Sequence, residues 1–544
     1  MPRPWLTLAT QWGEAPSAMP RDRFQQVSQA PTRPAPRSAE PRFDVADLYR
    51  GPAAAEPAAG AAGLQLDEKL RQAYFWITNH AIISPFYDVE YNEGPPQRFT
   101  FGDQGVEVTL PSDQSYSSYV LLPLLNLAVR RRCLLVGGPG RGKTTIAVLM
   151  GVLSGYSLQE LKRGIQHGQP QMTISDLLGN PLPSSLLAAK EMEEVKVAWR
   201  RWLGMRVKIV DEYNRIPTRT QSALLTVMAD DYAEVFDQVY ECPRAAWYLT
   251  ANDDAGGGTY QVIEALRDRI DVVVKALHFN TRFLGDLLTR VEEDVRPEEV
   301  VPPQIVFTPE ELDRVHQEIL AVEVPAPLRR RFEFFASHFE FLEPAARQVE
   351  YQTKDTFKLS GLDPAAQARG DGGKDRLADL GAQTRNGLSV RALTTSLVFC
   401  KAMAYFRGAA EVGFEDVRQM LPFVLHDKLA QNPDAPWFEG QGRAAYRVDR
   451  VSWIRALFDL SCKEYDRLNL DRDDPVARMT AEFERGLDGL DEKTVRQRLV
   501  AIERTLKEWS GGRKLYGHLF DDVLNLKYLH QRYANYLRWL KWKA

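Results

Sequence analysis

The sequence has little cysteine, and this shortage excludes a disulfide-stabilised domain. Its 544 residues include only Cys133, Cys242, Cys400 and Cys462, which are widely spaced and form no CxxC pair. Neither a disulfide framework nor a cysteine-based metal site is therefore expected. Cys133 and Cys400 lie in apolar segments and are predicted to be core thiols. This cysteine usage favours a reducing, cytoplasmic location.

The chain also lacks a long apolar run and a strong excess of either charge. Its longest apolar run, residues 120–129, ends at three arginines and is far shorter than the roughly 20 residues that span a membrane, so no membrane span is expected. The formal net charge of -4 gives no global field for nucleic acid, although a local basic patch is compatible with it. No His-rich tract or Ser/His/Asp arrangement indicates a second catalytic centre, and His167 is expected in an exposed loop.

A glycine-rich loop is the most informative feature that the sequence does contain. It follows the apolar strand 133–136, precedes the helical pattern 145–150 and fits GxxxxGK[ST]. In this context backbone N–H groups surround phosphate oxygens, Lys143 reaches the β- and γ-phosphates, and the Thr144 hydroxyl binds Mg²⁺. ATP and Mg²⁺ are the expected ligands, although the pattern does not distinguish ATP from GTP. The predicted loop residues are Gly137, Gly138, Pro139, Gly140, Arg141, Gly142, Lys143, Thr144 and Thr145.

Polar residues that follow two further apolar strands suit hydrolysis. One strand leads into Asp211, which would hold the Mg²⁺ shell, and Glu212, which would orient or deprotonate the attacking water. Another leads into Asn252, whose amide could position that water, and a later helix carries Arg269, which could stabilise charge on a neighbour's γ-phosphate. Taken singly, these residues are also compatible with a solvated strand end, a turn and a charged helix face. Together they favour an ATPase over a kinase.

Alternating strands and helices up to about residue 275 predict an α/β fold with a parallel sheet flanked by helices. From residue 281 onward the pattern is helical, and no internal repeat is visible. The predicted organisation is a disordered Pro/Ala-rich tail (1–63), an N-terminal accessory segment with a hairpin (64–119), a nucleotide-binding α/β domain (120–280), a helical lid (281–445) with a flexible insert (351–386), and a C-terminal helical domain (446–544).

Several motifs, in this order, resemble those of MoxR-type AAA+ ATPases. Residues 211–217 (DEYNRIP), followed by TQSALL at 220–225 and by Met228, are similar to the Walker B region of that family. The similarity covers about residues 120–430 and implies a P-loop AAA+ core followed by an all-α lid. The other matching segments are ISDLLG at 174–179, GGTY at 257–260, GLSVRAL at 387–393, EDV at 415–417 and VLHDKL at 424–429.

The resemblance implies further catalytic roles and an assembly. Arg269 matches the arginine that acts on the ATP of the adjacent subunit, and Asn252 matches sensor 1. Arg391 matches sensor 2, which acts either on its own nucleotide or on a neighbour's. Family members form rings, mostly hexamers, so a monomer should hydrolyse ATP poorly. Two departures from the family pattern, Tyr213 for isoleucine and Asp253 for proline, remove no group that hydrolysis needs.

The resemblance also implies a chaperone-like role, in which the ATPase remodels or activates a partner complex, often with a partner that carries a von Willebrand A domain. The identity of the client does not follow from the mechanism class. The segment 181–202 is expected to be an enlarged helix-2 insert that faces the ring pore or a partner, with helical propensity over 188–195.

Two other functions stay open at this point. A nucleic-acid motor or restriction-type NTPase would need basic, aromatic loops, and the run 528–543 has that composition. Apolar residues of this run, such as Leu529 and Tyr533, recur at helical spacing, so packing within the protein or onto a partner is favoured over nucleic acid. The third possibility is a ring whose nucleotide state only regulates assembly, against which the intact Glu212 and Arg269 weigh.

Overall fold

The computed structural model describes residues 65–83, 85–102, 106–189, 194–252, 264–276, 279–294, 296–340, 380–471, 474–510 and 518–543, which all belong to one compact unit. The predicted tail (1–63), the GGTY segment (257–260) and the insert up to residue 379 lie outside the described residues.

Strands are numbered in chain order. They are β1 (Val89–Glu90), β2 (Gln97–Phe101), β3 (Val106–Leu110), β4 (Ser115–Tyr116), β5 (Arg132–Val136), β6 (Gln166–His167), β7 (Gly179–Pro181), β8 (Val197–Trp199), β9 (Val207–Asp211), β10 (Tyr232–Val235), β11 (Gln238–Glu241), β12 (Ala246–Ala251) and β13 (Val272–Lys275). The α-helices are Leu66–Trp76, Ser118–Val129, Lys143–Leu153, Leu158–Gly164, Ile174–Leu178, Pro183–Ala188, Thr218–Asp230, Glu264–Arg269, Leu284–Glu293, Pro309–Ala321, Ala326–Glu340, Val390–Phe406, Phe414–Leu425, Arg450–Arg467, Pro475–Glu484, Glu492–Ser510 and His518–Lys543.

The N-terminal accessory segment packs against the helical lid. Its helix Leu66–Trp76 presents the buried Tyr74 ring edge-on to Phe406, with ring centroids 5.6 Å apart. The Tyr74 hydroxyl accepts a hydrogen bond of 2.7 Å from the N–H of Ser117, where the next long helix begins. Strand β1 pairs with β4, and β2 pairs with β3 in an antiparallel hairpin, which confirms the predicted hairpin.

A five-stranded parallel sheet forms the centre of the fold, in the order β13-β5-β12-β9-β6. Its strands carry near-continuous apolar runs because helices cover both faces of a parallel sheet, and every residue of β12 is buried. The helix Ser118–Val129 is tied to this strand by two buried hydrogen bonds. The Asn126 amide donates to the Trp247 carbonyl at 3.1 Å, and the Tyr248 hydroxyl donates to the Pro123 carbonyl at 2.8 Å.

The segment before β9 contains a helix that begins at Pro183 and ends at Ala188. The helix that helical propensity predicts over 188–195 runs through residues 190–193, which lie outside the described residues. A proline is favourable in the first turn of a helix, and the backbone of Ala189 is already extended. The Ser185 hydroxyl accepts a hydrogen bond of 2.9 Å from the N–H of Lys196, which holds the helix against the chain that leads into β8.

Helices make up the rest of the described chain, as predicted. The lid helices share the main apolar core with the sheet, while the last three helices form a separate apolar cluster. Leu529 and Tyr533 are buried in that cluster, so packing explains these apolar residues of the C-terminal run. Arg330 joins the lid to this region through its Nε–Oδ2 contact with Asp474 at 2.8 Å and its contact with Asp522 at 3.1 Å.

The fold class predicted from the sequence is confirmed: a parallel α/β core is followed by a helical lid and a helical extension. All four cysteines are buried and reduced. Within the described stretches, no helix combines the length and the apolar composition needed to cross a membrane.

Candidate active site

The nucleotide loop turns directly from β5 into the helix Lys143–Leu153. Gly140 and Gly142 have φ angles of 70° and 72°, which glycine adopts without steric cost. A Cβ atom on Gly137 would lie 2.9 Å from the Cβ of Ala276, so the backbone approach leaves no room for a side chain. No side chain caps the helix at Gly142. The first N–H groups of the helix and its dipole therefore favour an anion at this position.

Lys143 lies over the loop in a buried position. Its Nζ donates hydrogen bonds to the carbonyl oxygens of Gly137 at 2.7 Å and Gly138 at 2.8 Å, and to Oδ1 of Asn252 at 3.0 Å. An ammonium group has three donors and needs polar partners when it is buried. The predicted phosphate-binding lysine and the predicted sensor 1 asparagine are thus in direct contact, although 109 residues separate them in the chain.

The side chains of Thr144 and Asp211 meet beside the loop. The Thr144 hydroxyl donates to Oδ1 of Asp211 at 2.8 Å, and the Thr250 hydroxyl donates to the same oxygen at 2.7 Å. Asp211 stands at the end of β9 and Thr250 stands in the neighbouring strand β12, so parallel pairing brings the two together. Thr250 is a functional candidate that the sequence analysis missed.

Glu212 has a backbone conformation that is unusual for a non-glycine residue. Its φ is 52°, in the left-handed region, and its N–H donates to the Thr250 hydroxyl at 2.9 Å. Its carboxylate is held on both sides: Oε1 accepts a hydrogen bond from the Asn252 amide at 3.0 Å, and Oε2 lies 3.1 Å from the Arg215 guanidinium. Such strained residues occur at functional sites, where surrounding contacts maintain them.

His167 and Gly168 also belong to this site. His167 was expected in an exposed loop, and its side chain is exposed, but it lies in β6 with Nδ1 3.4 Å from Oδ2 of Asp211. The Gly168 N–H donates to the Asp211 carbonyl at 2.7 Å. A Cβ atom on Gly168 would lie 2.2 Å from the carbonyl oxygen of Glu212, so only glycine fits there.

The side chains at this edge suit Mg²⁺ and a triphosphate. The Thr144 hydroxyl and the Asp211 carboxylate are hard oxygen ligands, and Mg²⁺ takes one or two such protein ligands together with water and substrate phosphates. In the part of the chain that the structure describes, no group of three or more His, Cys, Asp or Glu side chains is arranged as a metal cage. A metal that is held jointly by the protein and by the substrate phosphates fits this donor set.

Arg269 and Arg391 lie elsewhere, at the amino-terminal edge of the sheet. Arg269 ends the helix before β13, and Arg391 lies in the first turn of a lid helix, 3.0 Å from the Asp268 carboxylate. Both line one polar cavity together with the residues that precede β5 and β12. The five residues of β5 span about 16 Å, so the sheet separates both arginines from the nucleotide loop of the same chain.

Comparisons with known families agree with this geometry. Residues 132–272 match the model of the ATPase family associated with various cellular activities (AAA), and residues 379–444 match the AAA lid domain. Together with the parallel sheet and the helices that follow it, these matches give the chain the α/β core and the helical lid of the AAA+ fold. A solved structure from Cytophaga hutchinsonii ATCC 33406, provisionally described as an ATPase, shares 19% identity and covers 63% of this chain and 89% of its own, with a TM-score of 0.44. No curated protein matches the chain.

The AAA+ core brings together five of the predicted residues, Lys143, Thr144, Asp211, Glu212 and Asn252. The sequence could have indicated Thr250, which it did not predict. Residues two apart in a strand point to the same side, and Thr250 precedes Asn252 by two residues. The contacts of His167 and Gly168 had no such sequence signal, since they depend on the pairing of β6 with β9.

Proposed function

We propose that the protein is a ring-forming, ATP-hydrolysing AAA+ ATPase of the MoxR type that remodels or activates a partner protein complex. The hydrogen-bonded series Lys143–Asn252–Glu212 carries this proposal. The Asn252 amide links Lys143, which is expected at the γ-phosphate, to Glu212, which is expected at the attacking water. The AAA family model supports nucleotide hydrolysis, and the ordered motifs between residues 174 and 429 support the MoxR type.

The nucleotide loop and the end of β9 would hold MgATP. Thr144 and Asp211 would bind Mg²⁺, which supplies charge neutralisation to the phosphate oxygens in the transition state. The Lys143 ammonium has two loop carbonyls among its partners, and it can exchange them for β- and γ-phosphate oxygens without leaving Asn252. The exchange costs little, because one set of charge-assisted hydrogen bonds replaces another set.

Glu212 would act on the attacking water. Its carboxylate is positioned by the Asn252 amide and the Arg215 guanidinium, so it would orient water and accept a proton from a fixed geometry. The left-handed backbone of Glu212 stores strain of about 1–3 kcal/mol, which the Thr250 hydrogen bond helps to maintain. Positioning and electrostatic stabilisation account for most of the catalysis of phosphoryl transfer, and these contacts supply both.

The nucleoside end of ATP would extend toward the lid. A cavity of about 490 Å³ lies at this edge of the sheet, lined by residues from the accessory segment (Ser118), from the end of β13 (Lys275), from the lid (His426) and from the C-terminal helical domain (Arg450). Lys275 pairs with Val136, the last residue of β5 before the nucleotide loop. A nucleoside bound there would contact the core and the lid together, so its release would free the lid to move.

The separation of Arg269 and Arg391 from the nucleotide loop supports hydrolysis between subunits. Both guanidinium groups lie at the amino-terminal edge of the sheet, so a γ-phosphate that they contact belongs to a neighbouring subunit. This supports a ring, with a hexamer as the expected form, and it favours an action of Arg391 on the neighbour's nucleotide. An arginine that stabilises the γ-phosphate in the transition state typically contributes about 10³–10⁵-fold in kcat.

ATPase assays on purified, assembled protein test the catalytic part of the proposal. Lys143→Ala should abolish ATP binding, and Glu212→Gln should bind ATP while losing hydrolysis. Rings mixed from Arg269→Ala and Glu212→Gln subunits should regain some hydrolysis, because intact pairs form at mixed interfaces. Tight ATP binding by Lys143→Ala would contradict the loop assignment. Mixed rings without any recovered activity would contradict an arginine that acts in trans.

The partner is tested with the Glu212→Gln protein as a trap. The variant is held in the ATP state in native cell extract, and bound macromolecules are identified with and without nuclease. A protein partner that survives nuclease and is lost with Lys143→Ala supports remodelling of a client, with or without a von Willebrand A domain protein. Recovery of nucleic acid, with proteins lost on nuclease treatment, would favour a nucleic-acid motor instead.

A further inference from the structure

A second charged site lies at the amino-terminal edge of the sheet, on the opposite side from the nucleotide loop. A cavity of about 370 Å³ opens there between the starts of β5, β12 and β13 and the lid. At ~30 Å³ per water molecule this is room for about twelve waters, which also accommodates a chain of two or three phosphates. The arginines that line the cavity are Arg130, Arg131, Arg132, Arg244, Arg269 and Arg391.

Three of these six arginines already have a carboxylate partner. The ion pairs are Arg130 with Asp313, Arg132 with Asp271 at 3.3 Å, and Arg391 with Asp268 at 3.0 Å. Asp231 is the one acidic residue among those that line the cavity in the described chain. Six guanidinium groups therefore face four aspartates, in a protein whose formal net charge is -4. The excess of positive charge is local to this cavity.

The remaining three arginines, Arg131, Arg244 and Arg269, form no ion pair with any described carboxylate. The Nε atom of Arg269 is buried and has no hydrogen-bond partner among the described residues. A buried donor without a partner costs about 1–3 kcal/mol, so a ligand that supplied an acceptor would recover that energy. Guanidinium groups present parallel N–H donors, a geometry that suits phosphate oxygens.

The electrostatics around the cavity favour an anion. Burial lowers the pKa of Arg131, Asp271 opposes that change, and the neighbouring Arg132, Arg244 and Arg391 lower it further. Burial also lowers the pKa of His316, which lines the same cavity, and Arg130 adds to the effect. Both shifts reflect desolvation and repulsion between like charges, which an anion between them would relieve.

We propose that this cavity is a second polyphosphate-binding site, in which Arg131 and Arg244 act together with Arg269 on a phosphate chain. Several free guanidinium groups around one concave volume suit several oxygens held close together, as in a di- or triphosphate. The phosphate chain has two possible sources, the nucleotide bound to a neighbouring subunit or a free polyphosphate. The first source rests on the ring proposed above, whereas the affinity of the cavity for phosphate does not.

Binding is tested with inorganic tripolyphosphate on the full-length Lys143→Ala protein, whose nucleotide loop is disabled. Calorimetry should detect binding, and Arg131→Gln and Arg244→Gln should each weaken it about tenfold or more, as expected for the loss of a charge-assisted hydrogen bond. Arg485→Gln, which removes an exposed arginine far along the chain in the helical extension, is the matched control and should not change binding. Circular dichroism melting confirms that each variant is folded.

The source is distinguished by ATP hydrolysis with the nucleotide loop intact. If the neighbour's nucleotide enters the cavity, Arg244→Gln lowers kcat while ATP still binds, and mixing with Glu212→Gln subunits restores activity. If only free polyphosphate enters, Arg244→Gln loses tripolyphosphate binding and keeps its kcat. Unchanged tripolyphosphate binding together with unchanged kcat in folded Arg131→Gln and Arg244→Gln overturns the proposal. If the native protein hydrolysed no ATP, only the proposed ATPase function would be contradicted.

Discussion

Thr250→Val tests whether one buried hydroxyl maintains the catalytic geometry. Valine has nearly the same shape as threonine, so the change removes two hydrogen bonds and leaves no cavity. The Thr250 hydroxyl donates to Asp211 at 2.7 Å and accepts from the Glu212 N–H at 2.9 Å. The bond to a charged group contributes about 1.5–3 kcal/mol, and the N–H left without a partner costs about 1–3 kcal/mol. Because Asp211 keeps its contact with Thr144, we expect the lower half of the combined range, about 2.5–4 kcal/mol.

The effect on catalysis should exceed the effect on ATP binding. Without the Thr250 acceptor, the left-handed turn at Glu212 loses a contact that maintains it, so the carboxylate moves away from the water position. We expect kcat to fall by about 10²-fold, in line with the contribution of a positioned general base, while ATP affinity changes little because Lys143 is untouched.

Urea unfolding and steady-state ATPase assays measure the two effects on the same preparation. Thr394→Val is the matched control, since the Thr394 hydroxyl bonds only within its own helix at an exposed position, and it should stay within about 0.5 kcal/mol of the native protein. If Thr250→Val also stayed within that range and kept its kcat, the hydroxyl would have no part in holding Glu212, and the geometric argument would be refuted.

Three further changes test other parts of the structure. Gly168→Ala should reduce kcat strongly, because its Cβ would overlap the Glu212 carbonyl at 2.2 Å; ATPase assays measure this, and a normal kcat would contradict it. Burial lowers the pKa of Lys208 to about 8, so between pH 8 and about 10 its unfolded form binds more protons. As the pH rises through this range, the free energy of unfolding of the native protein should increase by about 3 kcal/mol more than that of Lys208→Met. Urea unfolding at a series of pH values measures this difference. Arg330→Met should destabilise the fold by about 3 kcal/mol, since it removes the ion-pair partner of the buried Asp522 and of the partly buried Asp474, and unchanged urea unfolding would argue against this.

The sequence predicts the carboxyl edge of the sheet well because local patterns encode it. An apolar run followed by a glycine-rich loop, by two acids or by an asparagine identifies a strand and the residue at its end. Parallel strands then bring Lys143, Asp211 and Asn252 together without further information. The helical lid and the packing of Tyr533 follow from periodicity in the same way.

Features that depend on long-range register could not be read from the sequence. His167 reaches Asp211 only because the two-residue strand β6 pairs with the end of β9, and a strand that short has no recognisable pattern. The arginine cavity combines residues from positions 130–132, 244, 269 and 391, each of which is ordinary in its own segment. The net charge of the whole chain does not indicate the arginine cluster, because a sum over 544 residues carries no information on where the charges lie in the fold.

The lid is bonded to the residues on either side of Arg269, which gives nucleotide state a route to the arginine. Asp268 contacts Arg391 at 3.0 Å, and Asp271 accepts a hydrogen bond from the Thr395 hydroxyl at 2.7 Å, both from the same lid helix. Asp271 is fully buried at the start of β13, so its hydrogen bond with Thr395 connects the lid helix directly to the sheet. A lid that rotates when nucleotide binds or leaves must therefore either break these contacts or carry the segment around Arg269 with it. Because the same sheet holds Lys143 and Asn252 at its other edge, in the proposed ring a change at the nucleotide of one subunit would alter the position of the arginine that contacts the next subunit.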